Sequence, residues 1–281
     1  MKHLLALTLL ATASTAAAQP APAPATKPAP IAAPAGKAKT TVTWYGHAAF
    51  KIETPSGKTL LVDPWFQNPS NPSGKDDLKQ TKADLIFVTH GHFDHVGDAV
   101  DIAKRTKAKL VTTFDLGNAL VANAGYPKEQ FGMDTGGNFG GTLALLDGEV
   151  SVTFVPAVHG STVTDAKGTN HTGGNPGGFV IAIKGGPTLY HTGDTDVFGD
   201  MAQIGKFAKI DLMLACIGGH FTMDPARAAE AVRLVKPKQV APMHYGTFPV
   251  LKGTPAELGT ALKKVGGTKM VQLQVGRPIQ L

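Results

Sequence analysis

The chain has 281 residues, of which 42% are hydrophobic and 17% charged, so it is long and apolar enough to bury a sizeable core. Its formal net charge of +6 favours anionic substrates or surfaces through long-range attraction. The basic residues are too scattered, and the aromatic residues too few, for a nucleic-acid-binding protein. The single cysteine, Cys216, excludes an intramolecular disulfide, and the apolar run around it predicts a core position.

Residues 1–18 predict a signal peptide. A short basic start is followed by an apolar run over 4–10 that is too short to span a bilayer, and Ala16–Ala18 forms a small-residue cleavage site. A retained N-terminal anchor helix is the weaker alternative, because no stop-transfer pattern follows. Residues 19–40 are rich in Pro and Ala and predict an extended linker. We therefore expect a periplasmic or secreted protein, cleaved near Ala18, with no integral membrane segment in the mature chain.

The rest of the chain predicts two successive halves of strands and helices. Alternating and apolar runs predict strands over 42–46, 50–53, 59–62, 85–88, 109–112, 142–146, 150–155, 179–183, 188–190, 212–217, 239–242 and 270–273. Helices are predicted over 98–107, 116–124, 200–207, 226–235 and 255–265, and loops over 68–79 and 160–177. Each half begins with strands and continues with alternating strands and helices. This order favours an α/β (α+β) domain over 41–281, with two sheets packed face to face and helices outside.

Four metal-ligand side chains follow the predicted strand 85–88 within six residues. His90, His92, Asp94 and His95 form the pattern H-x-H-x-D-H. His90 and His92 project to one side of extended backbone, while Asp94 and His95 fall where the chain bends into the next helix. Neutral imidazoles and a carboxylate are ligands that Zn²⁺ and its neighbours prefer. The stretch therefore predicts a metal site.

Four further polar residues each follow the end of a predicted strand: His159, Asp194, His220 and His244. Groups at strand ends of α/β folds converge on one rim of the sheet. Taken singly, the histidines are also typical of capping or packing positions, and Asp194 in Thr-Gly-Asp-Thr is also typical of a turn.

Taken together, the H-x-H-x-D-H loop, His159, Asp194 and His244 resemble the metallo-β-lactamase superfamily, whose αββα sandwich the chain resembles over 41–281. The segments 44–48, 221–223 and 243–249 resemble its metal-dependent hydrolases related to ascorbate-phosphate lactonases and to phospholipase-D-type enzymes that cleave N-acyl phosphatidylethanolamines. The resemblance implies two divalent ions, most simply Zn²⁺ with Mn or iron as alternatives. The implied ligands are His90, His92 and His159 for one ion, Asp94, His95 and His244 for the other, and Asp194 as the bridge. The leader and His220 depart from this branch.

Other residues have open interpretations. His47 is a candidate contact of the substrate or of a metal ligand, or a turn residue, and Asp63 either orients a ligand histidine or makes a turn. His220 is a candidate general acid or a packing residue. His171 and His191 have no motif behind them and are interpreted as structural.

The predicted function is that of an exported hydrolase. Two ions about 3.5–4 Å apart activate a bridging water as hydroxide, which would attack an ester, lactone or phosphodiester of a small molecule. Asp94 would also orient this nucleophile. The alternatives are a β-lactamase, against which the bridging Asp194 argues, and a non-catalytic envelope metal-binding module. The sequence leaves the substrate, the native metal and the oligomeric state undetermined.

Overall fold

The computed structural model describes residues 39–281. The predicted signal peptide, and all but the last two residues of the predicted linker, lie outside the described residues. Within residues 39–281, no helix combines the length and the apolar character needed to cross a membrane.

The described chain contains strands and helices in mixed order. The strands are β1 (Thr41–Trp44), β2 (Phe50–Glu53), β3 (Thr59–Val62), β4 (Leu85–Phe87), β5 (Lys109–Thr113), β6 (Gly136–Gly137), β7 (Thr142–Leu145), β8 (Val150–Pro156), β9 (Thr162–Thr164), β10 (Asn170–Thr172), β11 (Gly177–Ile183), β12 (Thr188–His191), β13 (Leu212–Cys216), β14 (Gln239–Met243), β15 (Lys269–Met270) and β16 (Pro278–Gln280). The helices are α1 (Gly74–Gln80), α2 (Phe93–Val96), α3 (Ala99–Thr106), α4 (Phe114–Asn123), α5 (Met201–Phe207), α6 (Pro225–Val235) and α7 (Pro255–Leu262).

Two seven-stranded mixed sheets form the centre of the fold. Their orders are β16-β1-β2-β3-β4-β5-β6 and β15-β14-β13-β12-β11-β8-β7. In the first sheet β3 to β6 are parallel, and in the second β12 to β15 are parallel. β8 lies antiparallel to β11, which lies antiparallel to β12, so β8 and β12 run in the same direction. The carboxyl ends of β8, β12, β13 and β14 therefore all lie at the same end of the second sheet.

The core confirms the predicted four-layer αββα sandwich. Between the sheets, the Phe179 ring lies 5.3 Å from that of Phe87 and 5.7 Å from that of Phe154, measured between centroids. On the outer face of the first sheet, α3 and α4 bury apolar side chains against Ile86 and Leu110. α6 and α7 bury theirs against the second sheet. Alternation along each strand explains both faces, because successive side chains point to opposite sides. Cys216 is fully buried, as predicted.

The structure corrects several predicted segments. The predicted loop 68–79 contains most of α1, the predicted loop 160–177 contains the hairpin β9–β10, and the last predicted strand, 270–273, is reduced to β15. β6 and β16 were not predicted. All of these elements are short, and β16 exists because it pairs with β1 at the other end of the chain. Such pairings depend on tertiary contacts that local sequence patterns do not contain.

Candidate metal centre

The predicted ligands converge where the carboxyl ends of strands from both sheets meet. In the first sheet's half of the chain, His90 and His92 lie in the loop after β4, and α2 carries Asp94 and His95. In the second half, strands β8, β12 and β14 are followed by His159, Asp194 and His244, respectively. Their donor atoms form overlapping groups in which all atoms lie within 4.8 Å of one another. The structure thus brings together the seven side chains that the sequence pattern pointed to.

His90, His92 and His159 form the first of these groups. His90 Nε2 lies 2.9 Å from His92 Nδ1, and the ring centroid of His159 lies 5.1 Å from each of the other two. Three imidazole nitrogens that face one point can hold a divalent ion.

Asp94, His95 and His244 belong to a second group, which also includes His47. Asp94 Oδ2 lies 3.9 Å from His95 Nε2 and 3.7 Å from His244 Nε2. Ligands about 2.1 Å from a tetrahedral ion are separated by about 3.4 Å from one another. These separations are therefore close to those of a metal site.

Asp194 lies between the two groups. Its Oδ2 is 3.7 Å from His159 Nε2, 3.3 Å from His95 Nε2 and 2.9 Å from His244 Nε2. Asp194 also forms a compact group of its own with His90 and His95. Its carboxylate is therefore within reach of both groups of ligands.

Unpartnered buried atoms show that these residues fit a cation. Within the described chain, His95 Nε2, His244 Nε2 and Asp194 Oδ1 are buried and none of them forms a well-aligned hydrogen bond, although the two nitrogens lie 3.3 and 2.9 Å from Asp194 Oδ2. A buried polar atom left unpaired costs about 1–3 kcal/mol, so native structures rarely contain several together. Divalent ions would satisfy all of them.

The protonation states of the centre also suit a cation. Burial alone raises the pKa of Asp194, but the neighbouring His244 and His95 rings outweigh burial and hold that pKa well below its usual range. Burial lowers the pKa of His90 well below 6.5. The Asp194 carboxylate is thus ionised and the His90 imidazole is neutral, which are their ligand forms. Burial alone would lower the pKa values of His95 and His244, but the nearby carboxylates raise them, so these two rings would each release a proton on binding a cation.

Asp63 and Thr89 orient two of the ligand rings from behind. The Asp63 carboxylate accepts hydrogen bonds from His95 Nδ1 at 2.7 Å and from the Thr89 backbone N–H and hydroxyl at 2.8 and 2.7 Å. Because the Thr89 hydroxyl donates to Asp63, it accepts from His90 Nδ1 at 3.0 Å. Both rings therefore direct Nε2 toward the centre. Of the two interpretations of Asp63, the structure shows the orienting contact; Thr89 was missed, although it directly precedes His90.

His191 positions the turn before Asp194. Its Nε2 donates to the Ala48 carbonyl at 3.1 Å, and its Nδ1 accepts from the Gly193 N–H at 3.1 Å. Gly193 has φ +60°, and a Cβ there would lie 2.5 Å from the Gly177 carbonyl oxygen. Only glycine fits this turn without strain. His191 is thus structural, as interpreted from the sequence, and its contacts act on Asp194.

His47 lies behind Asp94 and not on the open side of the centre. It is fully buried, its Nε2 lies 2.9 Å from Asp94 Oδ2, and its Nδ1 lies 3.0 Å from the Thr247 hydroxyl. Of the roles considered for His47, the structure shows a contact with a candidate metal ligand. Thr247 lies in the segment 243–249 that carries the family resemblance, but the sequence gave it no role of its own.

The structure does not bring His220 and His171 into the centre. His220 is exposed, packs edge-on against Phe221 and lines a neighbouring cavity of about 1040 Å³. From the sequence, the His220 ring is expected to reach the rim formed by the metal ligands. The structure places it elsewhere, because Gly219 and His220 both take left-handed backbone (φ 68° and 57°) and turn the chain. His171 contacts Asp165 at 3.0 Å on the β9–β10 hairpin.

Comparisons with known proteins agree with this geometry. The family model described as "Beta-lactamase superfamily domain" matches residues 41–244. The chain belongs to the metallo-β-lactamase superfamily. It is 59% identical over 246 residues to a UPF0173 metal-dependent hydrolase of Anaeromyxobacter dehalogenans, covering 87% of this chain and 88% of that protein. It is 54% identical over 247 residues to one of Thermodesulfovibrio yellowstonii, covering 86% and 92%.

A solved structure gives the same result. The metallo hydrolase Igni18 of Ignicoccus hospitalis is 34% identical, with a TM-score of 0.75, and the match covers 86% of this chain and 98% of that one. The superfamily prediction is confirmed. The chain is a metal-dependent hydrolase with candidate His/Asp metal-binding clusters.

Replacing Asp63 tests the orienting contact. In Asp63→Asn the single amide oxygen cannot replace both carboxylate oxygens, so one of the three donors, His95 Nδ1, the Thr89 hydroxyl or the Thr89 N–H, faces an NH₂ group, and the orientation of the His95 ring is weakened. Removal of such a partner typically weakens metal binding about 10–100-fold, which a chelator competition would measure. Asp165→Asn, which alters the surface contact with His171, is the matched control and should bind metal as wild type does. Equal affinities in both variants would exclude the orienting role.

Replacing His220 tests its placement outside the centre. We expect His220→Gln to hydrolyse two esters with leaving groups of different basicity in the same ratio as wild type, because the ring lines another cavity. The measurement is kcat/KM on both esters at saturating metal. A loss confined to the poor leaving group would show instead that His220 donates the proton to it.

Proposed function

We propose that this hydrolase acts through a dinuclear metal centre on an ester, lactone or phosphodiester bond of a small molecule. In this proposal His90, His92 and His159 would hold one divalent ion, Asp94, His95 and His244 would hold the other, and Asp194 would serve both. The observation that carries the proposal is the position of Asp194 Oδ2, which lies 3.7 Å or less from His159 on one side and from His95 and His244 on the other.

Divalent ions, when bound here, would lower the pKa of a water molecule and polarise the carbonyl or phosphoryl oxygen of the substrate. The donor set of five imidazoles and two carboxylates suits Zn²⁺, with Mn and iron as alternatives. Asp94 lines the open cleft, and its side chain is 13% exposed. Its carboxylate is thus placed to accept a hydrogen bond from the attacking water and orient it.

Two other functions are weaker candidates. The β-lactamases of this superfamily lack a bridging carboxylate at the position that resembles Asp194, and this difference argues against β-lactam hydrolysis. A non-catalytic structural site would hold its ion in a closed shell of four protein ligands, with no shared carboxylate and no open cleft. Here five candidate ligands line a cleft of about 600 Å³, which leaves room for a substrate.

Replacing Asp194 tests this function. We expect elemental analysis to give two ions per wild-type chain. With Zn²⁺ or Mn²⁺ present, the enzyme should hydrolyse a lactone or bis-p-nitrophenyl phosphate faster than nitrocefin. In Asp194→Asn the neutral amide offsets less of the repulsion between two cations, so turnover should fall by about 10²–10³-fold, a typical loss of transition-state charge stabilisation.

The matched control is Asp196→Asn, two residues away, where the carboxylate pairs with Arg227 at the surface. It should keep wild-type turnover. One ion per chain at saturating metal, or full turnover in Asp194→Asn with two ions bound, would overturn the dinuclear assignment.

We also propose that the protein is exported, on the basis of the sequence over residues 1–18. Expression in a bacterium with a periplasm, followed by mass spectrometry of the mature chain, tests this. The expected mature N-terminus is Gln19 in the periplasmic or secreted fraction. A chain that keeps Met1 to Ala18 in the cytoplasm would contradict export.

A further inference from the structure

The cleft above the candidate metal centre has two different walls. Its floor consists of metal-centre residues, namely His92, Asp94, His159, Asp194 and His244. One wall is apolar and consists of Phe93, Phe221, Phe248 and Val250; we call it the aromatic wall. The other is polar and uncharged and consists of Thr162, Thr164 and Asn170 from the β9–β10 hairpin.

The aromatic wall is open to solvent. Phe93 is 67% exposed, Phe221 56% and Val250 41%, and these are three of the seven large hydrophobic side chains that are exposed in residues 39–281. Their concentration at one cleft is informative, because exposed apolar side chains are ordinary when scattered but mark binding sites when they are contiguous. The wall therefore presents apolar surface directly beside the metal ligands.

Two side chains of the aromatic wall, Phe93 and Phe248, are held in place before any substrate arrives. Phe93 stands between His92 and Asp94, so the metal-ligand loop itself fixes its position. The Trp65 ring lies 5.6 Å from that of Phe93 and 5.9 Å from that of Phe248, measured between centroids. A preformed apolar surface binds without the entropy loss of ordering its side chains.

The polar wall offers neutral hydrogen-bonding groups. The Thr164 hydroxyl donates to Asn170 Oδ1 at 2.8 Å, so the Asn170 amide keeps its two N–H donors. Donors of this kind suit a carbonyl or hydroxyl oxygen of a substrate.

No lysine or arginine is among the twelve residues that line this cleft in the described part of the chain. Phosphate groups in proteins are usually bound by such side chains. Lys252 and Lys264 line the neighbouring cavity instead. The net charge of +6 that favoured anionic substrates in the sequence is therefore carried by residues outside the cleft.

We propose that the substrate is an uncharged carboxylic ester, thioester or lactone whose aromatic or aliphatic group packs on the aromatic wall, with its polar end at the β9–β10 hairpin. This inference rests on the proposed function, because it takes the metal centre as the site of hydrolysis. Water adds to the carbonyl carbon, the bond from that carbon to the leaving oxygen or sulfur breaks, and the leaving atom takes up a proton from the water. The products are a carboxylic acid and an alcohol or thiol, or a single hydroxy acid from a lactone.

Hydrolysis of two matched esters tests the substrate class. Wild-type enzyme with Zn²⁺ should hydrolyse p-nitrophenyl hexanoate with a kcat/KM at least about tenfold above that for p-nitrophenyl acetate, because an apolar pocket distinguishes methylene groups by factors of about 10 or more. Both esters should exceed bis-p-nitrophenyl phosphate. In Phe93→Ala and in Phe221→Ala the ratio of hexanoate to acetate should fall about tenfold, as the hexanoyl chain loses its contacts.

Phe207→Ala is the matched control, because this α5 side chain is 81% exposed and does not line the cleft. It should leave the ratio unchanged. Acetate turnover in the Phe93 and Phe221 variants reports whether the metal centre is intact. An unchanged ratio in both of these variants, or a wild-type preference for the phosphodiester, would overturn the proposed substrate class.

A binding measurement separates this inference from the proposed function. Trp65 touches Phe93, whereas the other tryptophan, Trp44, is buried against Tyr245, so tryptophan fluorescence reports on the aromatic wall. The neutral, non-hydrolysable ketone 4-phenylbutan-2-one should change it saturably, with about tenfold weaker binding in Phe221→Ala. If no substrate is turned over with metal bound, the proposed function fails, while saturable ketone binding still supports the aromatic wall. Absence of ketone binding to the wild-type enzyme would overturn the inference that the aromatic wall binds the substrate.

Discussion

The burial of the Asp194 carboxylate, and the partial burial of Asp94 beside it, among imidazole rings is the constraint on which the rest of the structure depends. A buried carboxylate without compensating charge is strongly unfavourable. In the described residues the compensation comes from His95 and His244, whose pKa values are raised by the nearby carboxylates although burial alone would lower them. The same arrangement presents unpartnered nitrogen and oxygen atoms to a common space. The electrostatic requirement of the fold and the ligand set of a metal centre are therefore one feature.

This centre also joins the two sheets. His191 at the end of β12 donates from Nε2 to the carbonyl of Ala48, which lies in the turn between β1 and β2 of the first sheet. The His244 backbone N–H donates to the His47 carbonyl in the same turn at 3.0 Å. His47, Asp63 and His244 take left-handed backbone, with φ between 45° and 56°. Non-glycine residues in this conformation cost roughly 1–3 kcal/mol each and persist where surrounding contacts fix them. The hydrogen bonds between the sheets and the packing of the core supply these contacts, so the strain is maintained by the whole sandwich.

The chemistry and the specificity of the cleft come largely from different parts of the chain. The ligands follow strand ends, which the core holds rigidly, or lie on α2. The walls come from loops and from the β9–β10 hairpin, and α2 contributes to both because it carries Phe93 as well as Asp94 and His95. Loops on a rigid scaffold can change without disturbing the core, so one ligand set can serve different substrates according to the walls around it. In this chain the walls combine exposed phenylalanines with neutral polar groups, and the basic residues lie elsewhere.

From local patterns the sequence predicted two packed sheets with helices outside and a metal site at the H-x-H-x-D-H loop, because strand periodicity and this loop are written in adjacent residues. The resemblance to a known superfamily added the αββα sandwich and the more distant ligands His159, Asp194 and His244. Only the tertiary structure decided that Asp63 and Thr89 orient His95 and His90, that His47 lies behind Asp94, and that His220 faces another cavity. It also decided the pairing of β16 with β1 and the composition of the aromatic wall. These features depend on contacts between residues as far apart as His47 and Thr247, and on left-handed turns at single residues, which no local sequence pattern specifies.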